Sequence, residues 1–302
     1  MMIDLPQRCF IGRVNPKWFA RVRPLYLNYT ASTPLSDYQV RCLLTPHDIA
    51  FERLRPDKRD LLFIDENNEV IPYWIERANS SELVVWLKFS RIEAGREIFW
   101  LYYGNGYFTG ASNGEAVFEF FDDFETFNED EWEKESGSLT IVSDPADSGR
   151  GNVLKFDGEG SWYAFRKTTY TFTDGIIEFE FYRPENAKLQ FIFRVSALGS
   201  SRTFYEFESE NDGDLDFQKF VNGTETANMN PQAAGITGDE WHSGKIIAVG
   251  SYFEYWVDGV HWITQTDTSI SSGNLGGRAP GIIYFNDLRV RKYTEIEPFI
   301  SL

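Results

Sequence analysis

Apolar residues return at every second position through most of this 302-residue chain. In "GIIEFEFYRP", Ile177, Phe179 and Phe181 face one way and Glu178, Glu180 and Tyr182 the other. That is the period of a β-strand with one side in a core. The same alternation in "YEFESENDGDLDF" turns Tyr205 and Phe207 inward. Glu206, Glu208, Glu210, Asp214 and Asp216 then share the opposite face, and Asn211-Asp212-Gly213 is the turn between strands at 203–210 and 214–221. Asp258-Gly259, between Tyr255-Trp256-Val257 and Val260-His261-Trp262, predicts a two-residue hairpin. With "GNVLKFDG", "SWYAFRK", "LQFIFRVSA", "KIIAVGSYFEYWV" and "GIIYFNDLRVRKY", residues 117–298 carry about ten strands, for which two stacked antiparallel sheets are the expected solution.

Residues 19–116 read as a smaller antiparallel domain, from "ARVRPLYLNYT" and "LSDYQVRCLL" to "ELVVWLKFS" and "REIFWLYYGN". Asp65-Glu66-Asn67-Asn68 sits between two apolar runs, and the domain reads as one sequence-local hairpin after another. Residues 1–18 are broken by Pro6, Gly12 and Pro16, yet apolar at Phe10, Ile11, Val14 and Trp18. They read as an extended arm that packs on a neighbouring subunit or back on its own domain. Residues 299–302 are left as a tail.

Composition agrees with a β-rich fold. Aromatics are 17% of residues, with 26 Phe, 15 Tyr and 9 Trp, which is ample for two packed cores and argues against disorder. The net charge of −17 is uneven: residues 1–60 hold 10 Lys/Arg against 6 Asp/Glu, a net +4, and the remainder 19 against 40, a net −21. An acidic body does not suit nucleic acid. No run approaches a membrane span, and the N-terminus has no apolar leader core, so export by a route other than a signal peptide is expected. Cys9 and Cys42 are either two free thiols or one disulfide. No zinc or nucleotide motif occurs.

The stretches "LSDYQVRCLL", "RDLLFIDENNEVIPYWIE", "VVWLKFSRIEAGREIFWLYYGN" and "ASNGEAVFEFFDDF", in that order over about 95 residues, carry a resemblance to the domain-of-unknown-function family 2341. The resemblance implies a small β-sandwich, often joined to lectin-like domains in surface and phage proteins, and no catalytic activity. The order "FFDDFE", "GIIEFEFY", "FIFRV", "TFYEFE", "EWHSGKIIAVGSYFEYWVDGV" and "GIIYFNDLRVRKY" resembles the concanavalin-A-like lectin/glucanase superfamily in its laminin-G-like branch. This implies a jelly-roll sandwich. The expected fold class is thus all-β: an extended arm, a small antiparallel β-sandwich and a concanavalin-A-like jelly roll.

Three chemistries bear on these residues. Laminarinase-type members of the superfamily carry E-x-D-x-x-E on one strand. The nearest match starts at Glu178, but Glu180 replaces the Asp and Arg183 replaces the last acid, so the motif is broken. Glu178 and Glu180 with Arg194, Glu206 and Glu208 form either a ligand-facing set or a polar sheet face with cross-strand ion pairs. The acidic stretch fails as an EF-hand: the frame from Glu208 puts Lys219 at the twelfth position, and the frame from Asp212 puts Phe217 where Gly is needed. The superfamily resemblance implies a structural Ca²⁺ between first and last strands, for which Asp122, Asp123 and Asp287 are the candidates. Sugar sites use aromatic platforms, and Trp256 and Trp262 flank the hairpin, although aromatics on alternating strands also build cores.

The reading is a non-catalytic structural or adhesion protein, a virion component such as a phage tail or fibre protein, located in the virion or on a cell surface. The arm anchors it to other subunits in a homo-oligomer, and the lectin-like domain meets a glycan or a neighbouring subunit. The alternative is a prokaryotic surface carbohydrate-binding protein or a laminarinase-type glycoside hydrolase.

Overall fold

The computed structural model describes residues 18–226 and 229–302. The arm residues Phe10, Ile11 and Val14, and Cys9, lie outside the described residues; Trp18, at their edge, is 51% exposed. Two compact units divide the chain: residues 18–118 with 294–302, and residues 119–293.

The first unit holds β1 (Arg21–Tyr29), β2 (Leu35–Leu44), β3 (Leu62–Asp65), β4 (Tyr73–Ala78), β5 (Leu83–Ile92) and β6 (Gly95–Tyr103). One sheet runs β1–β6–β3 and the other β2–β5–β4. Between them lie Leu25, Leu27, Val40, Phe63, Val85, Phe99 and Leu101. The expected succession of local hairpins is corrected here. Only β4 and β5 are consecutive strands paired in one sheet. After β3 the chain does turn, with the Asp65 amide donating to Glu69 O at 3.0 Å and that of Ile71 to Phe63 O at 2.9 Å. Pro72 then has no amide to extend the ladder, and β4 joins the facing sheet. Gly95, at φ +132°, supplies the bend between β5 and β6, which also lie in opposite sheets. Cys42 is a buried free thiol, pushed up to about 12 chiefly by burial.

The end of the chain is not a tail. Phe299–Ser301 form a strand that pairs with β1, Leu27 opposite Ile300.

The second unit starts with three short strands, β7 (Phe120–Asp122), β8 (Trp132–Lys134) and β9 (Ser138–Ser143). β10 (Asn152–Asp157), β11 (Tyr163–Lys167), β12 (Gly175–Tyr182), β13 (Leu189–Ala197), β14 (Thr203–Ser209) and β15 (Leu215–Val221) follow. β16 (Thr224–Thr226), β17 (Trp241–Val249), β18 (Tyr252–Val257), β19 (Val260–Thr266), β20 (Asn274–Ala279) and β21 (Ile282–Arg291) complete it. One sheet runs β19–β18–β17–β12–β21–β10–β9, with β7 also on β21, and makes eight strands. The other runs β16–β15–β14–β13–β20–β11–β8. These two antiparallel sheets form a jelly-roll sandwich. The hairpin at Asp258-Gly259 is present, with φ of 50° and 77° as a two-residue turn of this hand requires.

The interior is a layer of rings. Phe179 and Phe191, from opposite sheets, stack at 4.1 Å, and Phe207 lies 4.5 Å from Tyr255. A Cβ at Gly277 would sit 2.7 Å from the rings of Phe165 and Phe285, so glycine there lets the rings fill the layer. Where a strand alternates without a bulge, fixing these rings inward turns their charged neighbours outward. Phe191→Ala is expected to lower unfolding stability by about 3–5 kcal/mol, read from denaturant midpoints; a loss under about 1 kcal/mol would show that the ring layer is not what holds the sheets together.

Candidate functional site

The outward face of the seven-stranded sheet carries a row of polar side chains set by strand register. Arg278 on β20 stands opposite Gln190 on β13, Gln190 opposite Glu208 on β14, and Glu208 opposite Asp216 on β15. In the next row Glu206 faces Gln218. All six are buried, with Glu206 at 0% and Arg278 at 7% exposure, although they point away from the ring layer. Trp162 lies over the Arg278 guanidinium at 4.7 Å, and Phe220, itself under Arg202, closes one end. The turn that brings β15 back beside β14 passes through Gly213 at φ +90°, where a Cβ would come within 2.7 Å of the Ile236 backbone.

Carboxylates placed opposite each other repel, so this row needs compensation. Arg278 Nη1 donates to Gln190 Oε1 at 2.8 Å and lies 3.4 Å from both Glu206 oxygens. Gln218 Nε2 donates to Glu208 Oε2 at 2.5 Å and to Asp216 Oδ1 at 3.1 Å. Lys188 pairs with Glu210 and stands 3.8 Å from Glu208 Oε1. Compensation is incomplete. Glu208 Oε1 and Arg278 Nε are buried without a hydrogen bond, one an acceptor and the other a donor. Burial pushes Glu206 up to about 8, with Arg278 pulling back and Glu208 and Asp216 adding repulsion. Burial, then Glu210 and Asp216, push Glu208 up to about 7; burial pushes Asp216 up to about 6.

The ligand set expected from the sequence is not one site. Glu206 and Glu208 belong to this row, whereas Glu178, Glu180 and Trp256 lie on the outward face of the other sheet, across the core. Glu178 is clamped by Arg289 at 2.9 Å and Arg291 at 3.2 Å; burial raises it, but the two guanidiniums win and hold it at about 2. Glu180 receives the forked Arg150, at 2.7 and 2.9 Å. Arg194 is a structural pin rather than a ligand group. A bulge in the β13–β20 ladder re-aims it, and it donates to the carbonyls of Thr173, Gly250 and Ile270 and to Asp174. Arg183, which broke the catalytic motif, is a second pin, bonded to Ser209 Oγ and to the Glu185, Ala187 and Ile236 carbonyls. Trp256 is held by Glu254 and lies under Lys245, and Trp262 packs against the core.

Of the three calcium candidates, Asp287 lies on β21 at φ +46°. Asp122 takes Lys167 at 3.2 Å and the Phe124 amide at 3.0 Å, and Asp123 takes the Glu125 amide. Among the described residues, the carboxylates that converge closely enough to share an ion are those of Glu208, Glu210 and Asp216. Sequence reasoning missed Gln190, Gln218 and Arg278. Gln190 and Gln218 sit at outward positions of alternating strands, a signal that was readable. Arg278 lies in the glycine-rich "NLGGRA", where no alternation points to it.

A family model described as "Domain of unknown function (DUF2341)" matches residues 57–135, and so runs across the boundary between the two units. No curated protein matches. Three similar solved structures are the carbohydrate binding module CBM66 from Bacillus subtilis, a protein of unknown function with galectin-like fold from the same organism, and a Bacillus licheniformis beta-glucanase. The first is 16% identical, covers 54% of this chain and 96% of its own, and has a TM-score of 0.45. The second is 15% identical over 58% and 96%, with a TM-score of 0.44. The third is 12% identical over 58% and 98%, also at 0.44.

The raised carboxyls fix a sign for the response to pH. The folded protein binds protons at Glu206, Glu208 and Asp216 more tightly than the unfolded chain, so stability from this row is full at pH 4 and is lost as pH rises toward 8. Glu178 acts oppositely and costs stability as pH falls from the ordinary glutamate range toward 2. Chemical denaturation at pH 5 and pH 8 is expected to show a smaller loss in the double variant Glu206→Gln/Glu208→Gln than in the parent. Equal losses would mean that these carboxyls do not hold their protons.

Proposed function

We propose that the second unit binds a glycan on the outward face of the seven-stranded sheet, without cleaving it. The observation that carries this reading is the pair of unmet groups in one enclosed row: Glu208 Oε1, which accepts when ionised and donates when it carries the proton, and the donor Arg278 Nε. They sit on strands two apart, so about 10 Å of sheet separates them. A sugar hydroxyl both donates and accepts, and a chain of sugars presents hydroxyls on that scale. Trp162, half-buried at the rim against Arg278, offers a ring for the C–H face of a sugar, and Lys188 and Glu210 are partly open at the other end. Direct hydrogen bonds from buried, fixed side chains make such a site selective, because a ligand lacking the hydroxyl leaves both groups unpaired.

Cleavage is disfavoured by the same chemistry. Glu206, Glu208 and Glu210 alternate on one face of the β14 end, a spacing that can line a scissile bond. Retaining hydrolysis pairs an ionised nucleophile with a protonated acid, so the two environments must push in opposite directions. Here burial pushes Glu206 and Glu208 both upward, and Glu210 is paired with Lys188.

A screen of the full chain against soluble polysaccharides by affinity electrophoresis is expected to find retardation by at least one. Glu208→Ala and Trp162→Ala are each expected to weaken it ten-fold or more, and no reducing sugar is expected to be released. Release that disappears in Glu206→Gln would replace binding with hydrolysis. Retardation unchanged in both alanine variants would remove the row from the site.

A further inference from the structure

The other outward face of the sandwich carries a strip of rings that the row above does not use. Tyr284 on β21, Tyr182 on β12 and Trp241 on β17 are directly opposite one another in register. All three are partly exposed. Tyr182 lies 5.7 Å from Trp241 at 54° and 5.5 Å from Tyr284 at 80°. The strip is therefore continuous but not flat. Its polar atoms are held in place. Trp241 Nε1 donates to Asp144 Oδ1 at 2.8 Å, and the Tyr182 hydroxyl lies 3.4 Å from Asp239. Arg150 lies against the Trp241 ring at 4.8 Å while its guanidinium forks onto Glu180.

Beside the strip is an unmet acceptor. Asn286 is 3% exposed; its Nδ2 donates to Glu180 Oε2 at 3.2 Å, and its Oδ1 has no hydrogen bond. Rotating the amide would set its oxygen against the Glu180 carboxylate, so the orientation is fixed and Oδ1 awaits a donor.

We infer that Tyr284, Tyr182 and Trp241, with Arg150, Glu180 and Asn286, form a second binding site, and that its occupant is a neutral glycan chain. Neutral polyols fit the chemistry. C–H faces lie on the rings, and hydroxyls can meet the Asn286 acceptor and the Arg150–Glu180 pair. A nucleic acid or acidic polymer is opposed by Asp144, Asp239 and Glu180 on a chain of net charge −17. An apolar protein surface would strip water from these charged groups without offering new hydrogen bonds. The tilt between the rings suits a single twisted chain and not the flat face of a crystalline polymer. The site is across the core from the Glu206–Glu208 row, so the two can be tested apart.

The experiment uses the full chain in affinity gels of laminarin, xylan, mixed-linkage β-glucan and mannan, with thermal midpoints as the control for folding. Trp241→Ala and Tyr284→Ala are expected to lose ten-fold or more of the affinity for at least one of these polymers at an unchanged midpoint. Trp241→Phe, which keeps a ring, is expected to retain most of it. Asn286→Leu, similar in volume but without an acceptor, is expected to weaken the same polymer. The inference is overturned if Trp241→Ala and Tyr284→Ala bind every polymer as the parent does. If Glu208→Ala meanwhile abolishes binding, the first site stands alone. If Trp241→Ala abolishes binding and Glu208→Ala does not, the strip is the site and the row is not. Absence of binding to all four polymers counts against both.

Discussion

The ring layer between the two sheets of the second unit is the constraint from which the rest follows. A strand has only two faces, and once Phe179, Phe181, Phe191, Tyr205, Phe207 and Phe217 are committed to the interior, the residues that alternate with them are turned to the opposite side. Glu178 and Glu180 must leave through one sheet, and Gln190, Glu206, Glu208 and Asp216 through the other. Moving any strand by one residue would bury its carboxylates among phenylalanines, which is why the register, and with it both polar surfaces, is so strongly specified.

The two surfaces solve the same problem differently. On the eight-stranded sheet, each acid meets arginine directly: Glu178 with Arg289 and Arg291, Glu180 with Arg150. On the seven-stranded sheet, carboxyls outnumber cations and are buried, so protonation and amides do the neutralising. Gln218 bridges Glu208 and Asp216, and Gln190 carries the Arg278 contact toward Glu208. This arrangement is kept without full pairing, and Glu208 Oε1 and Arg278 Nε remain without hydrogen bonds. Elsewhere in the unit, the Arg183 and Arg194 guanidiniums satisfy loop carbonyls at buried positions.

Much of this was legible in the sequence. Period two alone assigned Tyr205 and Phe207 to the core and Glu206 and Glu208 to the opposite face, and Asp258-Gly259 announced its hairpin. The all-β class and the turn at 211–213 followed from the same reading. What sequence could not give was pairing across distance. Arg278 meets Glu206 and Gln190 over 72 and 88 residues, and nothing local marks it as their partner. Local alternation is also blind to which sheet a strand joins. Glu178 and Glu206 therefore looked like one site while they lie on opposite sides of a core, and β3–β4 and β5–β6 looked like hairpins. Arg194 was misread because a bulge breaks the alternation at that residue.

The Glu206–Glu208 row is enclosed and holds its protons although it faces away from the core. Carboxyl-carbon NMR titration of the full chain, with Glu206→Gln and Glu208→Gln to assign the resonances, tests it without knowledge of any ligand. Both side chains are expected to titrate far above the ordinary glutamate range, at about 8 and about 7. Titration of both at or below that ordinary range would contradict it, for it would mean that the row is open to water.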